Sequence, residues 1–336
     1  MKIISDHAGW SLDEDAILLQ KYFRTWLQEN PYSPPTRLFN PLYFVSRDAL
    51  KKTFYRYRCI VSPLAFDFYH GNPNDPSFSY LHKLFRKRNI LSPSSPTIVR
   101  VPTKRLYNLY QENFPFLIPF LIPIPVDTTT FFPRSASVRN NIRASIGAPP
   151  SSFVIGSFQK DGIGWEDGLQ PKRIKGPDLF LSALQRLKQR SSRQLFVLLT
   201  GPSRGYVKRG LEKLQIPYFH KYTSTPVELA PYYSALDVYL VSSRDEGGPK
   251  AVLESMASGI PLVSTRVGMA QDLIQNNINA LISDPHPEPI SKCLSYVETS
   301  SNSSMIQNGL LTSHKYCIAS NQARWNMLFD RLYHST

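Results

Sequence analysis

The sequence predicts an α/β chain built as two doubly wound parallel-sheet domains, one in each half. Three observations carry this. Short apolar runs alternate with segments of helical periodicity along most of the chain. Runs such as "LFVLL" at 195–199 are apolar at every position, as a strand covered on both faces must be. A length of 336 residues exceeds one ordinary core and suits two.

The elements follow in order. "KIIS" predicts a strand, and "DEDAILLQKYFRTWLQEN" an amphipathic helix with an apolar stripe at helical spacing. "LYFVS", "PLAFDFYHG" and "TIVRV" predict further strands, with helices near 47–56, 76–89 and 103–112. "FPFLIPFLIPIPV" at 114–126 is shorter than the roughly 20 residues of a membrane span. Its Pro115, Pro119, Pro123 and Pro125 would also break a helix, so a buried extended segment is expected. Residues 127–152, with Pro133, Pro149 and Pro150, are expected to connect the domains and to permit hinge motion.

In the second half, "FVIGSF", "LFVLLTG", "ALDVYLVSS" and "IPLVST" predict strands, and "GPDLFLSALQRLKQR" and "YVKRGLEKL" helices. "AQDLIQNN" and "NALIS" continue the pattern, and "SNQARWNMLFDRLYHST" predicts one more helix. The expected domains are 1–126, a linker 127–152, 153–315, and a terminal helix over 316–336 that packs back on the first domain.

The composition is that of a globular protein, 42% hydrophobic and 19% charged. Cys59, Cys293 and Cys317 are odd in number and lack metal-ligand spacing, which argues against a disulfide framework and for a reducing, cytoplasmic compartment. "MKIISDHAGWSLDED" turns acidic before any signal-peptide core, so a soluble chain is expected. The net charge of +14 suits an anionic partner: nucleic acid, acidic lipid or a phosphorylated substrate. No groove-reading motif or aromatic-basic platform supports the first of these.

The stretch that carries chemistry is "RDEGGPKAVLESMASGIPLVST", residues 244–265. It follows the strand "DVYLVSS", so its loop lies at the carboxyl edge of a parallel sheet, where open α/β sheets bind ligands. Pro249 suits the first helical position, and Gly247 and Gly248 let backbone approach a ligand. The helix N-terminus would then face a phosphate. Glu254, about a turn and a half into the helix, can accept two hydrogen bonds from a vicinal diol such as a ribose. Glu246 in the loop would sit over whatever the phosphate carries.

This segment resembles the E-x7-E signature of the retaining group-one glycosyltransferases of the GT-B fold. "GSFQKDG…KGPDLFLSAL", "LLTGPSRG", "VGMAQDLIQNNINALI" and the earlier "IPVDTTTFFP" follow the order of that family's blocks. The resemblance implies two Rossmann-like domains facing across a cleft. It implies Glu254 on the ribose of a nucleotide-sugar donor and Glu246 on its sugar. Loop amides at Gly247 and Gly248, with Pro249 and Lys250 beside them, would lie on sugar and phosphate. Lys175 matches the family lysine on the diphosphate. The family arginine is absent, since Ser157 stands in its place, and Lys160 and Arg173 are the candidates for the second charge. Gly268 would give another amide-lined turn. The implied reaction moves a sugar to a glycan or glycolipid acceptor, in cell-surface polysaccharide synthesis, with no metal and no cofactor beyond the nucleotide-sugar co-substrate. Alternatives on the same fold are a nucleotide-sugar epimerase or a phosphorylase; a basic nucleic-acid-binding protein is the alternative from another class.

Other features are weaker. Asp13 and Asp15 have metal-binding spacing but open a helix, where they complement its dipole. His7 and His70 follow strands and are candidates for the acceptor side, with Asp67 and Asp127 behind them. "GIGWEDG" at 162–168 imitates a dinucleotide loop with the wrong spacing and is expected to be a flexible loop over the donor. Lys83, Arg86, Lys87 and Arg88 fit a solvated helix face, with contact to an anionic membrane or to an acidic glycan acceptor as the functional reading.

Overall fold

The computed structural model describes residues 2–5, 11–30, 41–44, 64–67, 83, 86, 97–115 and 117–334. His7, His70, Cys59, the helix expected near 47–56 and most of that near 76–89 lie outside these residues. The chain divides into two compact units: residues 1–123 with 321–336, and residues 124–320.

The first unit holds β1 (Lys2–Ser5), α1 (Ser11–Glu29), β2 (Pro41–Phe44), β3 (Leu64–Asp67), β4 (Thr97–Val101), α2 (Lys104–Asn113) and β5 (Leu117–Leu121). The described strands form one parallel sheet in the order β1-β2-β3-β4-β5. β5 was not expected as a strand. It pairs Thr97 with Leu117 through to Val101 with Leu121 and is mostly half-buried. Pro119 is tolerated because β5 closes the described sheet and need not donate to a further strand. Leu19, Tyr22, Phe23 and Trp26 form the buried stripe of α1, at the helical spacing read from the sequence.

The second unit begins with α3 (Ala136–Ser145), β6 (Phe153–Ser157), a 3₁₀ turn (Arg173–Lys175), α4 (Pro177–Lys188), β7 (Leu195–Leu199) and α5 (Gly205–Lys213). It continues with β8 (Tyr218–His220), α6 (Pro226–Tyr233), β9 (Val238–Val241), α7 (Ala251–Ala257) and β10 (Leu262–Thr265). The remaining elements are α8 (Met269–Leu273), β11 (Leu281–Ser283), α9 (Pro287–Thr299), α10 (Ser303–Lys315) and α11 (Ile318–His334). The parallel sheet runs β8-β7-β6-β9-β10-β11. The winding therefore reverses between β6 and β9, which pair directly through Ile155 and Gly156. Phe153, Ile155, Val197, Leu199, Val238 and Leu240 pack with Phe180, Leu184 and Leu187 of α4 and Leu294 of α9 in one core. Each such side chain contributes about 1.5–3 kcal/mol by leaving water.

Most of α11 returns to the first unit. Tyr22 stacks on Trp325 at 6.0 Å, Trp26 meets Phe329 at 5.9 Å, and the Trp26 indole donates to Asp330 at 2.8 Å.

Residues 127–152 are not a free connection: they contain α3 and belong to the second unit. Arg139 and Arg143 of α3 each reach Asp237 at 2.7 Å, and Arg143 Nε donates to the Ala235 carbonyl at 2.9 Å. The Asp237 carboxylate also accepts the Val154 amide at 2.7 Å and meets Arg193 at 3.3 Å. One carboxylate thus ties α3, β6 and β9 together. Asp127 is equally structural. Against the upward push of burial, hydrogen bonds from Thr129 and Thr130 hold its carboxyl below the usual range. Asp237→Ala leaves three guanidinium groups without their shared acid and is expected to cost about 3–5 kcal/mol, measured by urea unfolding. Unchanged stability would remove Asp237 from this role.

Candidate functional site

The carboxyl ends of β6 and β9 meet at the point where the winding reverses, the place where such sheets leave a crevice for ligands. Two segments converge there: the 3₁₀ turn ahead of α4, and the loop from Ser242 to Lys250 ahead of α7. Gly176 brings them together. Its φ is +64°, and a Cβ on it would fall 1.9 Å from the Ser242 carbonyl oxygen, so only glycine allows this approach. The Ser242 hydroxyl donates to the Gly176 carbonyl at 3.1 Å, and the Arg244 amide donates to the Ile174 carbonyl at 2.8 Å. The Arg244 guanidinium grips both oxygens of Asp178 at 2.8 and 2.7 Å, which holds that carboxyl below its usual range.

Lys175 and Glu246 face each other across this junction. The ammonium lies 2.5 and 2.6 Å from the two carboxylate oxygens, and the Ser243 hydroxyl donates to Glu246 at 2.8 Å. Glu254 lies in the first turn of α7, not deeper, because the helix begins at Ala251. Pro249 accordingly precedes the Lys250 cap instead of occupying the first helical position. With only seven residues, α7 offers little dipole, so the expected phosphate seat on its N-terminus finds no support. Gly248 is small for a packing reason: a Cβ would come 2.7 Å from Ile124 Cδ1. On Gly268, at φ +47°, a Cβ would fall 2.8 Å from the Glu246 and Gly247 carbonyl oxygens, so glycine is what lets the loop pass this close.

The side chains expected to supply the second charge have other contacts here. Arg173 is exposed and points to Asp178 at 3.7 Å. Lys160 lies 3.5 Å over the Trp165 ring. Ser157 is buried and engaged by Arg204, whose guanidinium reaches the Ser157 carbonyl at 2.6 Å and its hydroxyl at 3.1 Å. Arg204 also meets Asp161 at 3.0 Å, both side chains being fully buried, so its charge is already matched. Lys172 is the neighbour that sequence reasoning missed. Its side chain is exposed, yet partial desolvation at the ammonium and the adjacent Lys175 lower its pKa against the pull of Glu246. Lys160 is lowered by burial and then by Lys172. The basic run "PKRIKG" was the available signal.

The loop "GIGWEDG" is pinned, not flexible. Gly162 bridges to Pro171, the Tyr206 amide donates to the Gly168 carbonyl at 3.0 Å, and Ser203 Oγ donates to the Gly164 carbonyl at 3.0 Å. The N-terminus of α5 is thereby closed by loop carbonyls.

Residues 169–310 match the family described as glycosyl transferases group 1. The matched segment is less than half of the chain. The family segment contains Lys172, Lys175, Glu246, Glu254 and Gly268, while Ser157 and Lys160 precede it. A D-inositol 3-phosphate glycosyltransferase of Corynebacterium jeikeium is 30% identical over 176 residues, 49% of this chain and 40% of the relative. The sulfoquinovosyl transferase SQD2 of Arabidopsis thaliana is 32% identical over 151 residues, 44% of this chain and 26% of the relative. The matched stretch thus spans well under half the length of these curated relatives. Among solved structures, HepE of Anabaena with UDP and glucose aligns at a TM-score of 0.67 and 16% identity, over 97% of this chain and 84% of HepE. The sucrose-phosphate synthase of Thermosynechococcus elongatus aligns at 0.70 and 14%, over 95% of this chain and 80% of that one. The fold shared with these neighbours is GT-B.

Proposed function

We propose that the chain is a retaining glycosyltransferase that moves a sugar from a nucleotide-sugar donor to a glycan or glycolipid acceptor. The observation that carries this is the placement of Lys175, Glu246 and Glu254 at the winding reversal of a group 1 domain. Lys175 exchanges Glu246 for the donor diphosphate, and its charge stabilises the leaving group as the glycosidic bond breaks. Glu246, released from the ion pair, accepts hydrogen bonds from the donor sugar, and Glu254 accepts the ribose diol. Lys172 supplies the second cation that Ser157 cannot. The two relatives, both transferases of sugars, and the UDP-glucose complex of HepE support a nucleotide-sugar donor.

The same reading assigns a role in cell-surface polysaccharide synthesis at the cytoplasmic face of a membrane. Exposed Lys83 and Arg86 support a peripheral contact, and no described helix is long and apolar enough to cross a bilayer. Among the described residues no three metal-ligating side chains cluster; lysines meet the diphosphate charge in the proposed site. Transfer from the preferred nucleotide sugar should therefore persist in EDTA, with the anomeric configuration of the donor kept in the product by NMR. Loss of activity on chelation, restored by manganese, or an inverted product would overturn the respective part of the proposal.

A further inference from the structure

Glu254 accepts a hydrogen bond from a buried tyrosine. The Tyr233 hydroxyl donates to Glu254 Oε2 at 2.8 Å. The Tyr239 ring lies 5.4 Å from that of Tyr233, and its oxygen accepts the Phe158 amide at 2.9 Å. Phe158 follows directly on β6, at the winding reversal, so packed rings connect the carboxyl end of the central strand with the tyrosine that holds the α7 carboxylate.

The surroundings hold Tyr233 in place. Phe158 meets the Tyr233 ring at 4.9 Å and the Tyr239 ring at 5.3 Å, both edge-on, and Phe131 meets Tyr233 at 5.7 Å. Both tyrosines are buried. Desolvation, followed for Tyr233 by the Glu254 charge, raises both phenol pKa values well above the ordinary range. Tyr233 remains a donor at any working pH.

We infer that Tyr233 is the positioning residue of Glu254 and sets the enzyme's affinity for the ribose diol of its donor. The phenol fixes one oxygen and the rotation of the carboxylate, so the carboxylate meets two adjacent hydroxyls without a search through rotamers. The inference rests on the reading of Glu254 as the ribose carboxylate, and no signal in the sequence joins positions 233 and 254.

The test uses calorimetric binding to the full chain. The probe is whichever of UDP, GDP and ADP the wild type binds most tightly, set against its 2′-deoxy counterpart. Tyr233→Phe should weaken the ribonucleotide roughly three- to tenfold, the range of one lost charge-assisted hydrogen bond only partly used in binding. It should leave the 2′-deoxynucleotide within about twofold. A packing defect would weaken both alike. Tyr239→Phe removes a neighbouring buried hydroxyl, leaves the Tyr233 to Glu254 bond in place and should keep the ribose preference. Should Tyr233→Phe fold poorly, sucrose in the buffer favours its compact state and the same pair of nucleotides is compared there. Glu254→Ala is the reference. If wild type does not prefer ribose, or if Glu254→Ala leaves that preference intact, the ribose reading falls and the inference with it. If Glu254→Ala abolishes the preference while Tyr233→Phe keeps it or weakens both nucleotides equally, or while Tyr239→Phe loses it as far as Tyr233→Phe does, the inference alone is overturned.

Discussion

Lys175→Ala is expected to lower kcat by about 10²–10³-fold, the scale of removing one preorganised partner of a developing negative charge. The ammonium has two tasks in the proposed cycle. It holds Glu246 at 2.5 and 2.6 Å and takes the diphosphate when the donor enters. Its loss leaves the leaving group uncompensated, and frees Glu246 beside two phosphates that it then repels. The nucleoside diphosphate should bind more weakly in the same variant. Glu246→Gln should lower kcat by a comparable factor while weakening the nucleoside diphosphate much less, because its contacts lie on the sugar. The double variant should be little worse than Lys175→Ala, as expected of groups that act through one ion pair. Lys172→Ala should raise the donor KM severalfold with a smaller loss of kcat. Steady-state kinetics with donor varied reads all four. Additive losses, or a Lys175→Ala variant within a few-fold of wild type, would remove this pair from the reaction.

The part of the site that could be read from sequence is the part written in consecutive residues. "LFVLL" is apolar throughout because β7 is covered on both faces. Glu246 and Glu254 stand at fixed spacing around a loop that must leave the sheet at its carboxyl edge. Lys175 precedes Gly176, whose left-handed conformation the close approach to Ser242 demands. What could not be read depends on residues far apart in the chain. Ser157 seemed to leave the phosphate site short of an arginine. In space a guanidinium does reach Ser157, but it comes from Arg204 and is spent on Asp161. The mobile character assigned to "GIGWEDG" followed from its glycines, whereas backbone bonds to residues 203–206 decide its state. In residues 127–152 the prolines hid α3, whose arginines have their acceptors some 90 residues later, in the turn ahead of β9.

Arg204→Met is expected to destabilise the second unit by about 3–5 kcal/mol at neutral pH, because it strands a buried carboxylate. The guanidinium joins the ends of β6 and β7 through the Ser157 and Thr200 carbonyls at 2.6 and 2.8 Å and neutralises Asp161 at 3.0 Å. Even with that partner present, burial raises the Asp161 pKa, Arg204 acting in the opposite sense. Without it the folded-state pKa rises further, while the unfolded value stays near ~3.9. Between these two values the folded state binds the extra proton, so stability falls as pH rises. The slope approaches about 1.4 kcal/mol per pH unit. The variant should therefore be closest to wild type in mild acid and lose its advantage as pH climbs toward the raised folded pKa. Asp161→Asn behaves differently: a guanidinium cannot shed its proton, yet it keeps three acceptors on Ser157 and Thr200, so the cost should be smaller and flat with pH. Adding Asp161→Asn to Arg204→Met removes the titrating group and should abolish the pH slope of the single variant. Urea unfolding of the three variants between mild acid and neutrality measures all of this. A flat profile for Arg204→Met would mean that Asp161 finds water or another cation once its partner is gone, and that the pair does not hold the ends of β6 and β7 as described.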